Sequence, residues 1–291
     1  MSVSFAASAA LLHSFRNTVI SSLRAAGCVF AEDEADLILS AAATPDELRA
    51  MVDRRAAGHP LEHVVGWAEF CGLRIAVDPG VFVPRRRTEF LVRQAVARAL
   101  DRGPDVIAVD LCCGSGALGA ALVAGVGEAG VGEAGGGTGV ELYAADIDRA
   151  AVRCARRNVA ACGGRVLEGD LYAPLPVALR GRVDVLLANA PYVPTEAIGL
   201  LPAEARVHEA RVALDGGPDG LDVQRRVAAG AARWLAPGGH LLMETSERQA
   251  SRTARTFARG GLVPEVVRCE ELGATVVIGT RRTGIGPFPQ R

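Results

Sequence analysis

The sequence predicts a doubly wound, largely parallel α/β sheet, preceded by a small N-terminal helical domain and a β-hairpin connector. Three observations predict it. Short β-prone runs alternate with helical stretches from Val106 onward. A glycine-rich turn separates the first of these runs from its helix, as in open sheets that bind a ligand at their strand ends. The first sixty residues carry helical periodicity with no strand for their apolar faces to cover. The expected divisions are a helical domain over 1–62, a connector over 63–88 and the sheet domain over 89–291.

Each element has a local reason. Leu11, Phe15, Val19 and Leu23 recur every four residues and place one apolar stripe on a helix. A second helical stretch runs from about Glu32 to Ala42. Thr44-Pro45-Asp46-Glu47 opens a third, with Thr44 as cap, Pro45 at the first helical position and Glu47 completing a capping box. Gly58 and Pro60 end that run. Trp67–Phe70, Leu73–Val77 and Val81–Val83 are β-prone pieces punctuated by Gly72 and Asp78-Pro79-Gly80, and a helix from Thr88 to about Leu100 follows. Strands are expected at Val106–Asp110, Glu141–Ala145, Arg165–Glu168, Val183–Ala188, His240–Glu244, Val266–Glu270 and Thr275–Gly279. Helices are expected at Ala117–Val123, Arg149–Ala161 and Leu221–Leu235. The repeated VGEAG of Val126–Gly130 and Val131–Gly135, with Gly136-Gly137-Thr138, reads as a flexible loop insertion.

Composition excludes several classes. The net charge of −1 supplies no field for sequence-blind nucleic-acid binding, and direct binding to nucleic acid is not expected. No apolar run reaches the ~18 residues of a membrane span. The seven cysteines include no CxxC pair and no Cys/His ligand spacing, so no metal site is expected, and they read as reduced, buried thiols. The amino-terminal segment lacks the layout of a secretory signal, and a cytoplasmic protein, acting as a monomer, is the expectation.

The segment Asp110-Leu-Cys112-Cys-Gly114-Ser-Gly116-Ala-Leu-Gly119 matches GxGxxG between a strand and a helix. Such a turn lets backbone amides at a helix N-terminus approach a ligand. Asp110, just before the turn, would repel a pyrophosphate but suits a zwitterionic, sulfonium-bearing ligand. Asp146 ends the second strand, where a carboxylate can accept from both ribose hydroxyls. NAD and S-adenosylmethionine (SAM) share that contact, so Asp146 does not discriminate. Asp170-Leu171 ends the third strand, where Asp170 would meet the adenine amino group or serve as a plain turn residue.

Asn189-Ala190-Pro191-Tyr192, after the strand Val183–Ala188, carries the reaction. An amide nitrogen is a poor nucleophile because its lone pair is delocalised. The Asn189 side-chain oxygen and the Ala190 carbonyl can hold a planar NH2 and aim its nitrogen at a methyl group. Pro191 fixes the loop and Tyr192 walls the pocket. Positioning and electrostatics, rather than a strong base, carry such a reaction.

With these motifs the chain resembles the HemK/PrmC family of SAM-dependent protein glutamine-N5 methyltransferases. The resemblance covers most of the chain. Arg55–Leu61 is similar to the end of the family's helical domain. Gly66–Phe70 and Val83-Pro84-Arg85-Arg86-Arg87-Thr88-Glu89 are similar to its connector and I-P-R-P-x-T-E segment. Asp110–Gly116 resembles the SAM loop, Asp146 the ribose carboxylate, Asp170-Leu171 the adenine side and Asn189–Tyr192 the N-P-P-Y motif. Gly216–Asp222 resembles the G-x-D-G-L segment, and Glu244 a strand-end acid. The resemblance implies a class I SAM-dependent methyltransferase (Rossmann-like) sheet. It also implies SAM as cofactor, a helical domain that docks a protein substrate, and methylation of the GGQ glutamine of a peptide-chain release factor. Cofactor contacts then fall to Asp110, Cys112, Gly114, Gly116, Asp146, Asp170, Leu171 and Asn189.

The chain departs from the pattern at Ala190, which replaces the first Pro of N-P-P-Y, at Cys112-Cys113 in the SAM loop, and at Arg86-Arg87 in place of Pro-x. The Ala190 change keeps the carbonyl and loses rigidity. An amino methyltransferase acting on adenine N6 in nucleic acid, and a SAM-binding module without activity, are the alternatives. An NAD oxidoreductase is disfavoured by Asp110. Arg85–Arg87 reads as a solvated connector or a contact to an acidic partner or RNA near the substrate. His208-Glu209 lines a substrate entrance or a surface helix, His59 and His63 sit at an interdomain corner, and Glu244 shapes the pocket or satisfies backbone donors.

Overall fold

The computed structural model describes residues 15–130 and 139–284. Leu11, the second VGEAG copy and residues 136–138 lie outside the described residues, whereas the first copy, Val126–Gly130, is the end of a helix and not part of the expected loop. The chain divides into two compact units, one ending at Trp67 but including Pro202–His208, the other comprising 68–201 and 209 onward.

The first unit is built from helices 15–25 (α1), Ala31–Ala41 (α2), Pro45–Ala56 (α3), Leu61–Val65 (α4) and Ala203–His208 (α8 in chain order). Val19, Ile20 and Leu23 of α1 pack with Ala35 and Ile38 of α2, Met51 and Val64. Phe15, expected on the buried stripe, is exposed, and Ile20 takes its place. Thr44 caps α3 by accepting the Glu47 amide, whereas the Glu47 carboxylate takes the amide of Ala43 rather than of Thr44. Arg55, mostly shielded from solvent, lies between Glu34 and Glu204, each 2.6 Å away, which ties the 202–208 segment into this unit.

The second unit opens within β1 (Trp67–Phe70), which forms a hairpin with β2 (Leu73–Ala76), and the helix α5 (Glu89–Leu100) follows. Val81–Val83 is not the expected strand. The Val83 amide donates to the Glu209 carboxylate, so a side chain takes the donor that a ladder would have used.

The remaining strands are β3 (Asp105–Leu111), β4 (Gly139–Asp146), β5 (Arg165–Glu168), β6 (Val183–Ala188), β7 (Leu235–Thr245), β8 (Leu262–Cys269) and β9 (Ala274–Arg281). They form one sheet in the order β5-β4-β3-β6-β7-β9-β8. The first five are parallel, and β9 runs antiparallel to both β7 and β8. Helices α6 (Ala117–Gly130), α7 (Arg149–Val159), α9 (Arg211–Leu214), α10 (Asp222–Trp234) and α11 (Glu247–Arg259) complete the unit. The arrangement is the class I SAM-dependent methyltransferase fold, with the strand order turning outward on both sides of β3.

Alternation along the strands sorts the core into two layers. Val106, Ala108, Leu142, Ala144, Val185 and Leu187 face the layer that holds α5, α6 and α7 residues. Val109, Leu111, Tyr143, Ala145, Leu186 and Ala188 face the layer that holds α10 and α11 residues. Both faces are covered, which is why β6 is buried at every position. Every cysteine is unpaired, and Cys113 and Cys154 are the buried ones, the others being half-buried. Among the described residues no helix is long and apolar enough to cross a membrane, and no cluster of three or more His, Cys, Asp or Glu is placed to hold a metal ion.

Candidate active site

Parallel pairing sets the carboxyl ends of four strands level: Leu111 lies beside both Ala145 and Ala188, and Ala188 beside Met243. The turn after β3, Asp146, the loop after β6 and Glu244 therefore share one edge of the sheet, where open α/β sheets bind ligands.

The turn after β3 is folded tightly. Cys112, Gly114 and Gly116 have positive φ of 55°, 54° and 78°. The Cys113 amide reaches the Ala145 carbonyl, and the Gly116 amide the Cys113 carbonyl. The two leading glycines serve different ends. A Cβ on Gly114 would meet nothing within 4 Å, so this residue faces open space. A Cβ on Gly116 would lie 3.1 Å from the Ala155 side chain on α7, so this one allows close packing.

Asp146 binds the turn to its own strand. Its Oδ2 accepts from the Gly114 amide at 2.8 Å and its Oδ1 from the Asp148 amide at 2.9 Å. Each oxygen keeps further acceptor capacity. Burial raises its pKa above the usual carboxylate range, against the pull of these amides. Ile147 follows, apolar and yet 55 % exposed. Sequence reasoning passed over it, although an apolar residue directly after a strand-end acid is a readable signal. The Gly169 amide reaches the Asp146 carbonyl and brings the third strand's end alongside; there Asp170 is paired with Arg226 at 2.6 Å and Leu171 has a positive φ of 49°. Burial, then the Asp146, Asp110 and Asp170 carboxylates, push the Cys112 thiol far up, so it remains protonated.

Asp110 is fully buried, on the strand face that looks toward α6. Its Oδ2 accepts from the Gly119 amide at 3.0 Å, and its Oδ1 has no partner among the described residues. Burial pushes its pKa up to about 7. The carboxyl thus anchors the helix beneath the turn.

The loop after β6 carries the second group of residues. Asn189 is half-buried, and its carboxamide is left free of hydrogen bonds to the described residues. Ala190 and Pro191 are buried. The loop is held from three sides. Val193 exchanges backbone bonds with Leu214 and Gly216. Gln249 on α11 donates to the Tyr192 carbonyl at 3.0 Å, its own amide oxygen accepting from Ser246. At the ring end, the Tyr192 hydroxyl meets Glu244 and Arg87. Burial and the Glu244 carboxylate push the Tyr192 phenol up to about 12, which keeps it a neutral donor.

Two members of the arginine run are pinned rather than solvated. Arg85 pairs with the buried Glu209, and Arg87 with the buried Glu244. Glu209 therefore holds the connector instead of lining a surface helix. In the first unit the His59 and His208 rings lie against each other, tilted by 33° with centroids 4.1 Å apart.

The geometry fits SAM on the chain's own features. Gly114 leaves open space beside backbone amides, Asp146 has spare acceptor positions for a diol, and Ile147 offers an apolar flank.

The residues 72–221 match the model of the methyltransferase small domain. A release factor glutamine methyltransferase of Geobacter sulfurreducens is 37 % identical over 243 residues, covering 81 % of this chain and 79 % of that protein. Its counterpart in Mycolicibacterium smegmatis is 38 % identical over 232 residues, covering 78 % of this chain and 77 % of that protein. A 4-amino-L-phenylalanine/4-methylamino-L-phenylalanine methyltransferase of Streptomyces pristinaespiralis is 37 % identical over 245 residues, covering 82 % of this chain and 78 % of that protein. With likeness of this extent, carried by the fold and by the shared strand-end site, the chain belongs to the HemK/PrmC family of methyltransferases.

Proposed function

We propose that this protein transfers a methyl group from SAM to the N5 nitrogen of a glutamine side chain, the GGQ glutamine of a peptide-chain release factor. The observation that carries the proposal is the Asn189 carboxamide, free of internal hydrogen bonds on a loop otherwise held on three sides, next to the buried Ala190. Bound SAM supplies a methyl carbon made electrophilic by its sulfonium and open to in-line displacement. Gly114 and Gly116 shape the turn that would admit it, Asp146 would accept from its ribose, and Ile147, Asp170 and Leu171 would flank its adenine.

Asn189 Oδ1 and the Ala190 carbonyl accept the two hydrogens of the substrate NH2. That grip fixes the plane of the amide and aims the nitrogen, so that much of the barrier is met by orientation. As the nitrogen becomes more positive, both acceptors bind its hydrogens more strongly, which favours the transition state over the ground state. Tyr192 closes one wall and limits water. The released proton passes to water, and no side chain of the loop acts as a base. In the first unit the exposed Val29 and Phe30 offer an apolar surface to a protein substrate.

Incubation with SAM and a release factor, read by mass spectrometry, should add about 14 Da to the GGQ glutamine. An unmodified glutamine overturns the proposal. One observation favours a second acceptor class. The Streptomyces relative, named for an aromatic amine, is 37 % identical, as is the Geobacter release-factor enzyme, and an aryl NH2 is also planar and conjugated. 4-Amino-L-phenylalanine is therefore the second acceptor in the assay.

A further inference from the structure

Arg87, Tyr192 and Glu244 close a hydrogen-bonded triangle. Glu244 Oε1 accepts from Arg87 Nε at 3.0 Å and from the Tyr192 hydroxyl at 3.2 Å, and Arg87 Nη2 donates to the Tyr192 oxygen at 2.8 Å. The Glu244 residue is only 2 % exposed, and its Oε2 has no partner among the described residues. Burying a carboxylate with one oxygen bare, against an arginine that stays half-exposed, is a poor way to gain stability, because an apolar side chain of similar volume does as well or better. A buried carboxylate with an unpartnered oxygen therefore calls for a reason other than stability.

What this carboxylate fixes is the far end of Tyr192. Gln249 already holds the near end through the Tyr192 carbonyl. The residue is thus restrained at both ends, two positions after Ala190. In the N-P-P-Y pattern that this loop resembles, proline at 190 would lock its own φ and restrict Asn189 as well. Alanine does neither. Arg87 stands in the connector at a position that the resembled pattern leaves variable.

We infer that Arg87 and Glu244 are positioning residues for methyl transfer: acting through the Tyr192 phenol, they hold the Asn189–Tyr192 loop in the shape that its own sequence, with alanine at 190, does not impose. The inference rests on the acceptor role proposed above for Asn189 and Ala190. It also assigns a purpose to the buried Glu244 that neither packing nor backbone satisfaction supplies.

The test uses the full chain and reads two quantities. Hydrogen–deuterium exchange over 189–193 reports the order of the loop, and steady-state kinetics with a release factor reports transfer. Arg87→Ala, which removes a half-exposed side chain, and Glu244→Gln should each lower kcat about tenfold while the SAM Kd stays within about twofold, because only alignment is lost. Both should speed exchange over 189–193 about tenfold. Arg87→Lys should restore part of each loss. Ala190→Pro introduced into Arg87→Ala should bring kcat and exchange back to within about threefold of the parent. Unchanged exchange and kcat in Arg87→Ala, or no recovery on adding Ala190→Pro to a folded, SAM-binding protein, overturns the inference. The exchange readout does not depend on the acceptor. Failure of the unaltered protein to methylate glutamine overturns the proposed function, whereas unchanged exchange with intact activity overturns the positioning role alone.

Discussion

The Oδ2 atom of Asp146 accepts a hydrogen from the Gly114 amide at 2.8 Å, so the carboxylate that ends one strand shapes the turn that follows its neighbour. Loss of this side chain removes both the turn's tether and an acceptor for the ribose. Asp146→Ala should raise the SAM Kd by about a hundredfold, since hydrogen bonds to a charged group are worth about 1.5–3 kcal/mol each. Calorimetric titration measures it, and a Kd within about threefold of the parent contradicts the assigned contact.

Asn189 gives the opposite pattern. Its carboxamide makes no internal bond whose loss would disturb the loop. Asn189→Ala should lower kcat by about a hundred- to a thousandfold, comparable to removal of a polar group that stabilises a transition state. SAM affinity should change by less than about twofold, as equilibrium titration of the same preparation would reveal. Near-parental turnover would remove the acceptor from the mechanism.

The two glycines of the turn separate stability from binding. Gly116→Ala places a Cβ 3.1 Å from Ala155 at a φ of 78°, and should cost about 1–3 kcal/mol of stability. Gly114→Ala meets no protein atom and should cost less stability but more SAM affinity. Thermal melts with and without SAM distinguish them, and equal melting losses for the two variants would refute the division of roles.

Asp110 makes stability depend on pH in the direction opposite to a salt-bridged carboxylate. Its folded pKa is about 7 because of burial, whereas an unfolded Asp titrates near ~3.9. Between those values the native state keeps a proton that the unfolded state has lost, so this group's contribution falls as pH rises through the window. Asp110→Asn still accepts from Gly119 and does not titrate. Its melting temperature relative to the parent should climb from pH 5 to about pH 7 and then level off. A constant difference across that range would show that Asp110 is ionised throughout.

Much of the parallel half-sheet was legible because buried strands are short apolar runs bounded by turn residues. Arg165–Glu168 and Val183–Ala188 carry the expected bounds, and Asp146 and Asn189 stand at strand ends as their positions implied. Helix α11 was not legible, since only Gln249, Ala250, Thr253 and Phe257 of its residues are buried, too few apolar side chains to announce a helical face. Its Gln249 was therefore missed as a clamp on Tyr192. The strand expected at Val81–Val83 failed for a related reason, because apolar alternation records burial and not the identity of the hydrogen-bond partner, here the remote Glu209. The family resemblance covered the residues along the strand ends, but not the contact of Arg87 with Glu244 across 157 positions of sequence.

Arg55 and its two carboxylates, Glu34 and Glu204, make the helical unit discontinuous along the chain. A fragment cut after Trp67 would keep the guanidinium and Glu34 while discarding Glu204, and the complementary fragment would inherit Pro202–His208 without the helices it packs with. Dissecting the protein into halves therefore calls for grafting that seven-residue stretch back by a linker, or for circular permutation, rather than for a single truncation.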